Sequence, residues 1–437
     1  MADFATSSHP AVQAQLDRLA LLSFGGDRLG LDRITRLLDR LGRPQDALPP
    51  VFHVAGTNGK GSTCAFLRAA LEAAGHSVHM FTSPHLVRFN ERIRVAGRLI
   101  DDDALATLLA EVLDAGDSID ATFFEVTTAV AFVAFARNPA DACILEVGLG
   151  GRLDATNVVA RPVICGIADL ALDHQHFLGN RLIDIAGEKT GIAKPGVPLV
   201  TQRYPPLIAA RIGDLAQAAG APWLPRGHAW DIRVVGERLR YRDVKGAINL
   251  PAPGLTGRHQ ARNAGLAVAM LRHQNVLAIP DEAMVQGIGS ARWPGRLQLL
   301  GDGPLTAALP GKRVWVDGGH NRHAATAIAK AMASKAPFDV IFALGANRRV
   351  ADVLGPVAPL IRKARTVPLV GHAHIDPRSI AMIAQARATP RLCYPDFTLE
   401  QAVERLANDP DAANDVLIFG SLYLAGQALA ANGEIPD

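Results

Sequence analysis

The sequence is short of cysteine. Only four are present, Cys64, Cys143, Cys165 and Cys393, far apart and with no Cys-x-x-Cys pair. That spacing excludes a zinc ribbon, a dithiol redox motif and a disulfide framework, and predicts buried reduced thiols in a cytoplasmic protein. Long apolar runs are also missing: none reaches the roughly 18 residues that a membrane span needs. The N-terminus, with Asp3 and no long apolar core, does not resemble a secretory signal. An excess of one charge is lacking too, since 45 Lys and Arg against 42 Asp and Glu leave a net +3. Nothing in that balance offers a face for nucleic acid. No internal repeat appears, and the 40 glycines and 28 prolines are scattered as turns rather than gathered into low complexity.

A chain of 437 residues, 49% of them hydrophobic, exceeds one ordinary core, so two or three domains are expected. Residues 11–42 carry helical apolar spacing (Leu16, Leu19, Leu22, then Ile34, Leu37, Leu38, Leu41). Strand-like runs at 51–55, 77–82, 141–147, 162–168 and 197–201 alternate with helical stretches at 60–74, 103–115, 125–137 and 206–219. This predicts an α/β unit with a mostly parallel sheet and helices on both faces. In 230–250, Trp230, Ile232, Val234, Leu239 and Tyr241 alternate, which predicts a small antiparallel patch on the edge of that unit. Helices are expected near 259–274 and 280–289. Trp293-Pro294-Gly295-Arg296 then breaks the pattern. Beyond it, strands at 313–316, 340–344, 366–370 and 416–419 alternate with helices near 323–334, 350–364, 377–386, 398–408 and 421–431. The second α/β unit is smaller, about 140 residues, and domains are placed at 1–294 and 295–437.

The chemistry begins at Gly56-Thr57-Asn58-Gly59-Lys60-Gly61-Ser62. An apolar strand enters a Gly-rich turn with one Lys, and helical spacing follows, as in a P-loop. Glycines let backbone N–H groups converge on an anion, and the helix N-terminus adds partial positive charge. Lys60 supplies a mobile full charge, so a nucleoside triphosphate is the expected ligand. The general pattern sets a hydroxyl directly after the Lys. Here Gly61 intervenes before Ser62, so a metal ligand is expected from elsewhere. The plain alternative is an ordinary strand–helix turn.

Other candidates stand at the ends of the expected strands, where open parallel sheets gather ligands. Ser83 follows the second strand, as a metal ligand or a turn serine before Pro84. Glu146 closes an apolar strand, where a lone carboxylate needs a partner: a divalent cation, or an Arg such as Arg152. His174, after Asp173, is a metal ligand or a structural histidine. Lys189 lies near the same sheet edge or at a solvated helix end. Asp317, His320 and Asn321 follow a strand of the second unit and would bind ribose or phosphate, or cap a helix.

Jointly and in order, these segments resemble the Mur ligase superfamily, and within it the bifunctional dihydrofolate synthases/folylpolyglutamate synthases. The resemblance spans nearly the whole chain. It rests on residues 56–62, Ser83-Pro84-His85-Leu86, Glu91-Arg92-Ile93, Phe124-Glu125, and Glu146 through Asn157. It continues with Asp173-His174, Leu178-Gly179, Glu188-Lys189, His259-Gln260, Asn263-Ala264, Pro294-Gly295-Arg296, Asp317, His320-Asn321 and Gly420-Ser421. The resemblance implies a P-loop-type ATPase domain followed by a smaller Rossmann-like ligase domain. It implies an ATP-dependent carboxylate–amine ligase that joins L-glutamate to dihydropteroate and to tetrahydrofolate through an acyl phosphate. By resemblance, ATP is held by residues 56–62, Asn263, Arg296, Asp317 and His320. Ser83, Glu146 and His174 match the ligands of two Mg²⁺ ions, and Lys189 matches a carboxylated lysine. Lys60, Glu146, His174 and Lys189 are the implied catalytic set, and Thr122, Phe124, Arg152 and Asp154 the implied pterin pocket. The implied partners are small molecules, the implied oligomeric state a monomer.

Two positions depart from that family. Arg322 stands where a proline often follows His-Asn, and Ala346-Asn347-Arg348-Arg349 replaces Asp-Lys-Asp. Glutamate contacts or domain closure are expected to differ there. The alternatives are a peptidoglycan-precursor ligase, a monofunctional folate ligase, or a nucleotide-binding switch without ligase activity. Only about 50 residues precede the phosphate loop, too few for the extra N-terminal domain of a peptidoglycan ligase. An intact Ser83, Glu146, His174 and Lys189 argues against the switch.

Overall fold

The computed structural model describes residues 5–22, 29–387, 390 and 392–437. Residues 1–4, on which the expected lack of a secretory signal partly rests, and 23–28, inside the expected N-terminal helical stretch, lie outside the described residues. On either side of 23–28 stand helices Pro10–Leu21 and Asp32–Arg40.

The first unit is built on strands β1 (Val51–Ala55), β2 (Val78–Phe81), β3 (Ile93–Val95), β4 (Arg98–Leu99), β5 (Ala142–Glu146), β6 (Ile164–Ile167), β7 (Leu199–Thr201) and β8 (Trp223–Pro225). They form one sheet in the order β4-β3-β2-β5-β1-β6-β7-β8. All neighbours from β2 to β8 are parallel, whereas β3 and β4 pair antiparallel at one edge. Side chains alternate between faces, as the pleat requires. Phe52 and Val54 of β1, with Ala142 and Ile144 of β5, join the core under helices Lys60–Ala73 and Gln260–His273. Val51, Cys143 and Leu145 join the opposite core, with helices Asp102–Ala115 and Phe123–Arg137.

Strands β9 (Trp230–Val235), β10 (Arg238–Asp243) and β11 (Gly246–Leu250) make the expected antiparallel patch, as a separate sheet. Trp230, Ile232, Leu239 and Tyr241 enter the core beside helix Gln260–His273. Val234 does not: it lies next to the hairpin turn at Gly236 and is 57% exposed.

The second sheet runs β12 (Gln298–Leu299), β13 (Arg313–Asp317), β17 (Asp415–Phe419), β14 (Phe338–Phe342), β15 (Ile361–Thr366), β16 (Cys393–Pro395). It is parallel except for β12. The expected helix 350–364 is overturned here. Only Val350–Val353 is α-helical, a short 3-10 turn covers Ala358–Leu360, and the chain then enters β15. Pro356 and Pro359 stop the helix. The charges of 362–365, which read as a helix surface, are absorbed by ion pairs: Arg362 with Asp339 at 2.7 Å, Lys363 with Asp409, and Arg365 with Asp396 at 2.9 Å. The strand expected at 366–370 is correspondingly displaced to 361–366.

Candidate active site

β1 leaves the sheet through Gly56 (φ 151°) and Gly59 (φ 88°) before helix Lys60–Ala73 begins. A Cβ at Gly59 would stand 2.4 Å from Asn263 Oδ1, so this position needs glycine both for its left-handed backbone and for the approach of helix Gln260–His273. The N–H groups of Thr57 and Asn58 donate to the Asp169 carbonyl at 2.9 and 3.1 Å. The loop is therefore pinned to the end of β6 rather than turning all its N–H groups outward. The donors left for an anion are those of the helix's first turn, at Lys60, Gly61 and Ser62, which have no carbonyl one turn behind them.

Lys60 reaches toward the end of β5, where its Nζ lies 4.0 Å from Glu146 Oε1. The other oxygen, Oε2, accepts from the Ser83 N–H at 3.3 Å. Parallel pairing of β2, β5 and β1 brings these three residues together. Burial pushes the Glu146 carboxyl up, and Lys60 opposes that shift. Arg152, the alternative partner, pairs instead with Glu188 at 2.9 Å and is more than half exposed.

Beyond β6, Asp173 is buried and engaged by the second unit. Arg348 Nη1 donates to its Oδ1, Asn321 Nδ2 donates to Oδ2 at 3.0 Å, and His320 Nε2 lies 3.6 Å from Oδ2. Burial alone would raise this carboxyl, but His320, His174 and Arg348 together hold it well below the ordinary range. Asn321 and Asn58 exchange amide hydrogen bonds at 3.0 and 3.3 Å, tying the phosphate loop to the same junction. His174 has φ 49°; desolvation at the junction, with Arg348, His320 and Lys60 nearby, holds its imidazole below the ordinary value although the side chain is 38% exposed, which favours the neutral ring that a ligand role needs.

Lys189 is not at a solvated helix end. It is 4% exposed, and burial, reinforced by Lys60, lowers its amine to about 7. In the loop after β5, Gly148 packs against the tip of the Phe124 ring, whose Cζ would be 2.3 Å from any Cβ there. Thr122 caps helix Phe123–Arg137: its Oγ1 accepts from the Glu125 N–H at 3.3 Å, and the Thr122 N–H donates to Glu125 Oε2 at 2.7 Å. Asp154 is 2% exposed, and its oxygens accept from Thr156 N–H at 3.0 Å, Thr156 Oγ1 at 2.5 Å and Leu149 N–H at 2.8 Å. Of the four residues expected at a pterin pocket, two are thus occupied in holding their own loops.

On the other side, Asn263 Nδ2 donates to Gln260 Oε1 at 2.9 Å. Asp317 accepts from the Leu297 and Gly319 N–H groups at 2.8 and 2.6 Å, joining the 294–297 turn to the end of β13. Arg296 lies close enough to stabilise both the Asp317 and Glu146 carboxylates. Asn321 Oδ1 caps helix Arg322–Met332 through the Ala324 N–H at 2.9 Å.

No group of three or more His, Cys, Asp and Glu gathers as a metal cage among the described residues. One buried carboxylate beside a serine fits a hard cation that keeps waters and phosphate oxygens, as Mg²⁺ does. Arg348 was missed as a site residue in the sequence, where it stood only as a departure.

No protein-family model matches the chain. It is 38% identical over 331 residues to the dihydrofolate synthase/folylpolyglutamate synthase of Bacillus subtilis, covering 70% of this chain and 73% of that one. Its fold matches Escherichia coli FolC in complex with DHPP and ADP with a TM-score of 0.85 and 32% identity, over 95% of this chain and 97% of that one. A bifunctional folylpolyglutamate synthase/dihydrofolate synthase with Mn, AMPPNP and L-glutamate bound matches with a TM-score of 0.83 and 30% identity, over 99% of both chains.

Proposed function

The chain belongs to the dihydrofolate synthase/folylpolyglutamate synthase family, and from that premise we propose how its residues perform ATP-dependent glutamate ligation. The substrates are dihydropteroate, which becomes dihydrofolate, and tetrahydrofolate, whose glutamate tail is extended. The observation that carries this reading is that Lys60, Glu146 and Ser83 meet at the strand ends of one sheet, while Asp173, beyond the next strand of that sheet, is engaged by Asn321, His320 and Arg348 from the other unit.

A carboxylate is a poor acyl donor because oxide would have to leave. Transfer of the γ-phosphoryl of ATP gives an acyl phosphate, which the glutamate amine attacks with release of phosphate. The first turn of helix Lys60–Ala73 and the Lys60 ammonium hold the phosphates and oppose the charge that builds as the phosphoryl moves. Glu146 and Ser83 would hold one Mg²⁺, with His174 and a carboxylated Lys189 for a second, and bound ions would neutralise phosphate oxygens. An amine lowered to about 7 is substantially neutral at physiological pH, the form that takes up carbon dioxide as a carbamate. Asn263, Arg296, Asp317 and His320 frame the nucleotide, and Phe124 and Arg152 are the open members of the pterin side. Docking of the second unit through Asp173 excludes water from the acyl phosphate.

In this reading the ATPase domain is 1–294 and the ligase domain 295–437, because β12, at 298–299, already belongs to the second sheet. Four buried free thiols fit a reducing cytoplasm, and no helix among the described residues is long and apolar enough to cross a membrane. A coupled phosphate-release assay tests the whole reading. Turnover should require glutamate together with dihydropteroate or tetrahydrofolate. Release with only one pterin would make the enzyme monofunctional, and release with neither would overturn the assignment.

A further inference from the structure

The antiparallel edge of the first sheet concentrates arginine. The β3–β4 turn and helix Lys60–Ala73 border a cavity of about 380 Å³ lined by Arg68, Glu72, Arg88, Arg94, Arg98 and Asp437. A second hollow of about 310 Å³ shares Arg68 and Glu72 and adds Gln286, Ser290 and Arg292. Arg94 pairs with Met80 in the ladder, and the Gly97 N–H bonds to the Val78 carbonyl. The hollows therefore sit toward the start of β2, at the opposite end from Ser83.

These arginines are paired more loosely than others in the molecule. Arg137, Arg272 and Arg365 hold carboxylates at 2.5, 2.8 and 2.9 Å. In the cavity, Glu72 lies 3.8 Å from Arg68 Nε, beyond hydrogen-bond reach. The Nε groups of Arg68 and Arg94 are buried without a hydrogen-bond partner. Arg94 otherwise donates to the Gly97 carbonyl at 2.9 Å and to the main-chain carboxylate oxygen of Asp437, and Arg88 donates to the Pro436 carbonyl at 3.3 Å. Burial, with repulsion from Arg68, lowers the Arg94 guanidinium to about 10. Five arginines thus face three carboxylates, that of Glu72 and the side-chain and main-chain carboxylates of Asp437.

We infer that the paired hollows bind a small-molecule polyanion, at a site separate from the catalytic cluster, whose anionic groups displace the Pro436 carbonyl and the Asp437 main-chain carboxylate from Arg88 and Arg94. The planar guanidinium fork suits carboxylate and phosphate alike. Two hollows joined at Arg68 suit a ligand with at least two anionic groups, an oligocarboxylate or a condensed phosphate, over a single small anion.

The test is calorimetric titration of the full chain, its nucleotide site saturated with ADP and Mg²⁺ in excess, with tripolyphosphate and with γ-linked triglutamate in separate runs. At least one should bind with one-to-one stoichiometry, and which one identifies the anion as phosphate or carboxylate. Arg94→Met and Arg98→Gln should each weaken that binding by about tenfold or more, the loss of a charge-assisted contact, while ligation without the polyanion stays at the wild-type rate. Arg98 is exposed, so its variant keeps the test valid if Arg94→Met fails to fold. Binding of neither polyanion below millimolar concentration, or equal affinity in wild type and Arg98→Gln, would overturn the proposal.

Discussion

At the strand ends of the first sheet, ionisable groups are buried beside partners that are distant or repulsive, whereas at those of the second sheet the polar groups are already bonded. Lys60 and Glu146 stand 4.0 Å apart, and Lys189 faces a like charge in Lys60. Asp317, by contrast, accepts two backbone N–H groups, and Asn321 bonds to Asn58, Asp173 and the Ala324 N–H at once. Burying charge without close pairing is costly, and it persists where a ligand supplies the missing partner. In the proposed reading the first set receives phosphate and metal charge, and Asn321 of the second ties one unit to the other.

The contrast is broken most directly at Lys60. Lys60→Ala should lower ligation by roughly 10²–10³-fold, the usual cost of removing one group that stabilises developing transition-state charge. Thermal unfolding is the control that the variant remains folded, since removing Lys60 leaves the buried Glu146 without its nearest cation. Near-normal phosphate release at saturating ATP by the folded variant would place the chemistry elsewhere.

Arg348 probes the other side. Arg348→Ala leaves the buried Asp173 without its guanidinium and should lower kcat/KM for glutamate by roughly 10–100-fold, the range of a lost charge-assisted hydrogen bond. Arg348→Lys should restore part of it, since a point charge replaces the fork. The KM for ATP should move little. If it rises as much as kcat/KM falls, Arg348 belongs with the nucleotide-binding groups, and the division between the two strand ends fails.

Lys189 sharpens the contrast through pH. Its folded-state value of about 7 lies below the ordinary 10.5. Between these values the unfolded chain binds a proton that the folded chain does not. The stability contributed at this site is thus lowest below pH 7 and rises with pH toward 10.5, by up to about 1.4 kcal/mol per unit. Urea unfolding in CO₂-free buffer at pH 6.5, 7.5 and 8.5 should show that rise in wild type and its absence in Lys189→Met. Parallel curves would mean that the amine is solvated.

Much of this was legible in the sequence, and what was not has identifiable causes. Phe52, Val54, Ile144 and Leu145 announce strands because they alternate or run apolar, and the glycines around Lys60 announce the loop between them. Glu146 stood out because a lone carboxylate at the end of an apolar strand has no local partner. β15 was hidden because Arg362, Lys363 and Arg365 look solvated until Asp339, Asp409 and Asp396 arrive from elements far along the chain. Arg348 was hidden for the same reason: its partner Asp173 is 175 residues away, and no spacing rule reaches that far. The burial of Lys189 was equally invisible, since the helix Leu182–Thr190 that carries it does not reveal which of its faces meets the core.

The smallest effect expected is at Asp154, a group of the first sheet that is satisfied in the manner of the second. Its oxygens accept three hydrogen bonds from residues 149–156, and through the hydroxyl of Thr156 it is linked to buried His53 on β1, whose Nε2 lies 2.8 Å from that Oγ1. A carboxylate so committed shapes the loop above Lys189. Asp154→Asn keeps the volume but puts a donor where both oxygens accept, so it should cost about 1–2 kcal/mol of stability. Both ligations should then fall together, because one loop serves both pterins. kcat/KM for dihydropteroate and for tetrahydrofolate, measured on one preparation, decides the matter. A matched loss places Asp154 among the groups that hold structure. A loss confined to dihydropteroate would mean that the carboxylate turns outward to the pterin when substrate arrives, and that even a fully bonded side chain at this strand end is held ready for a ligand.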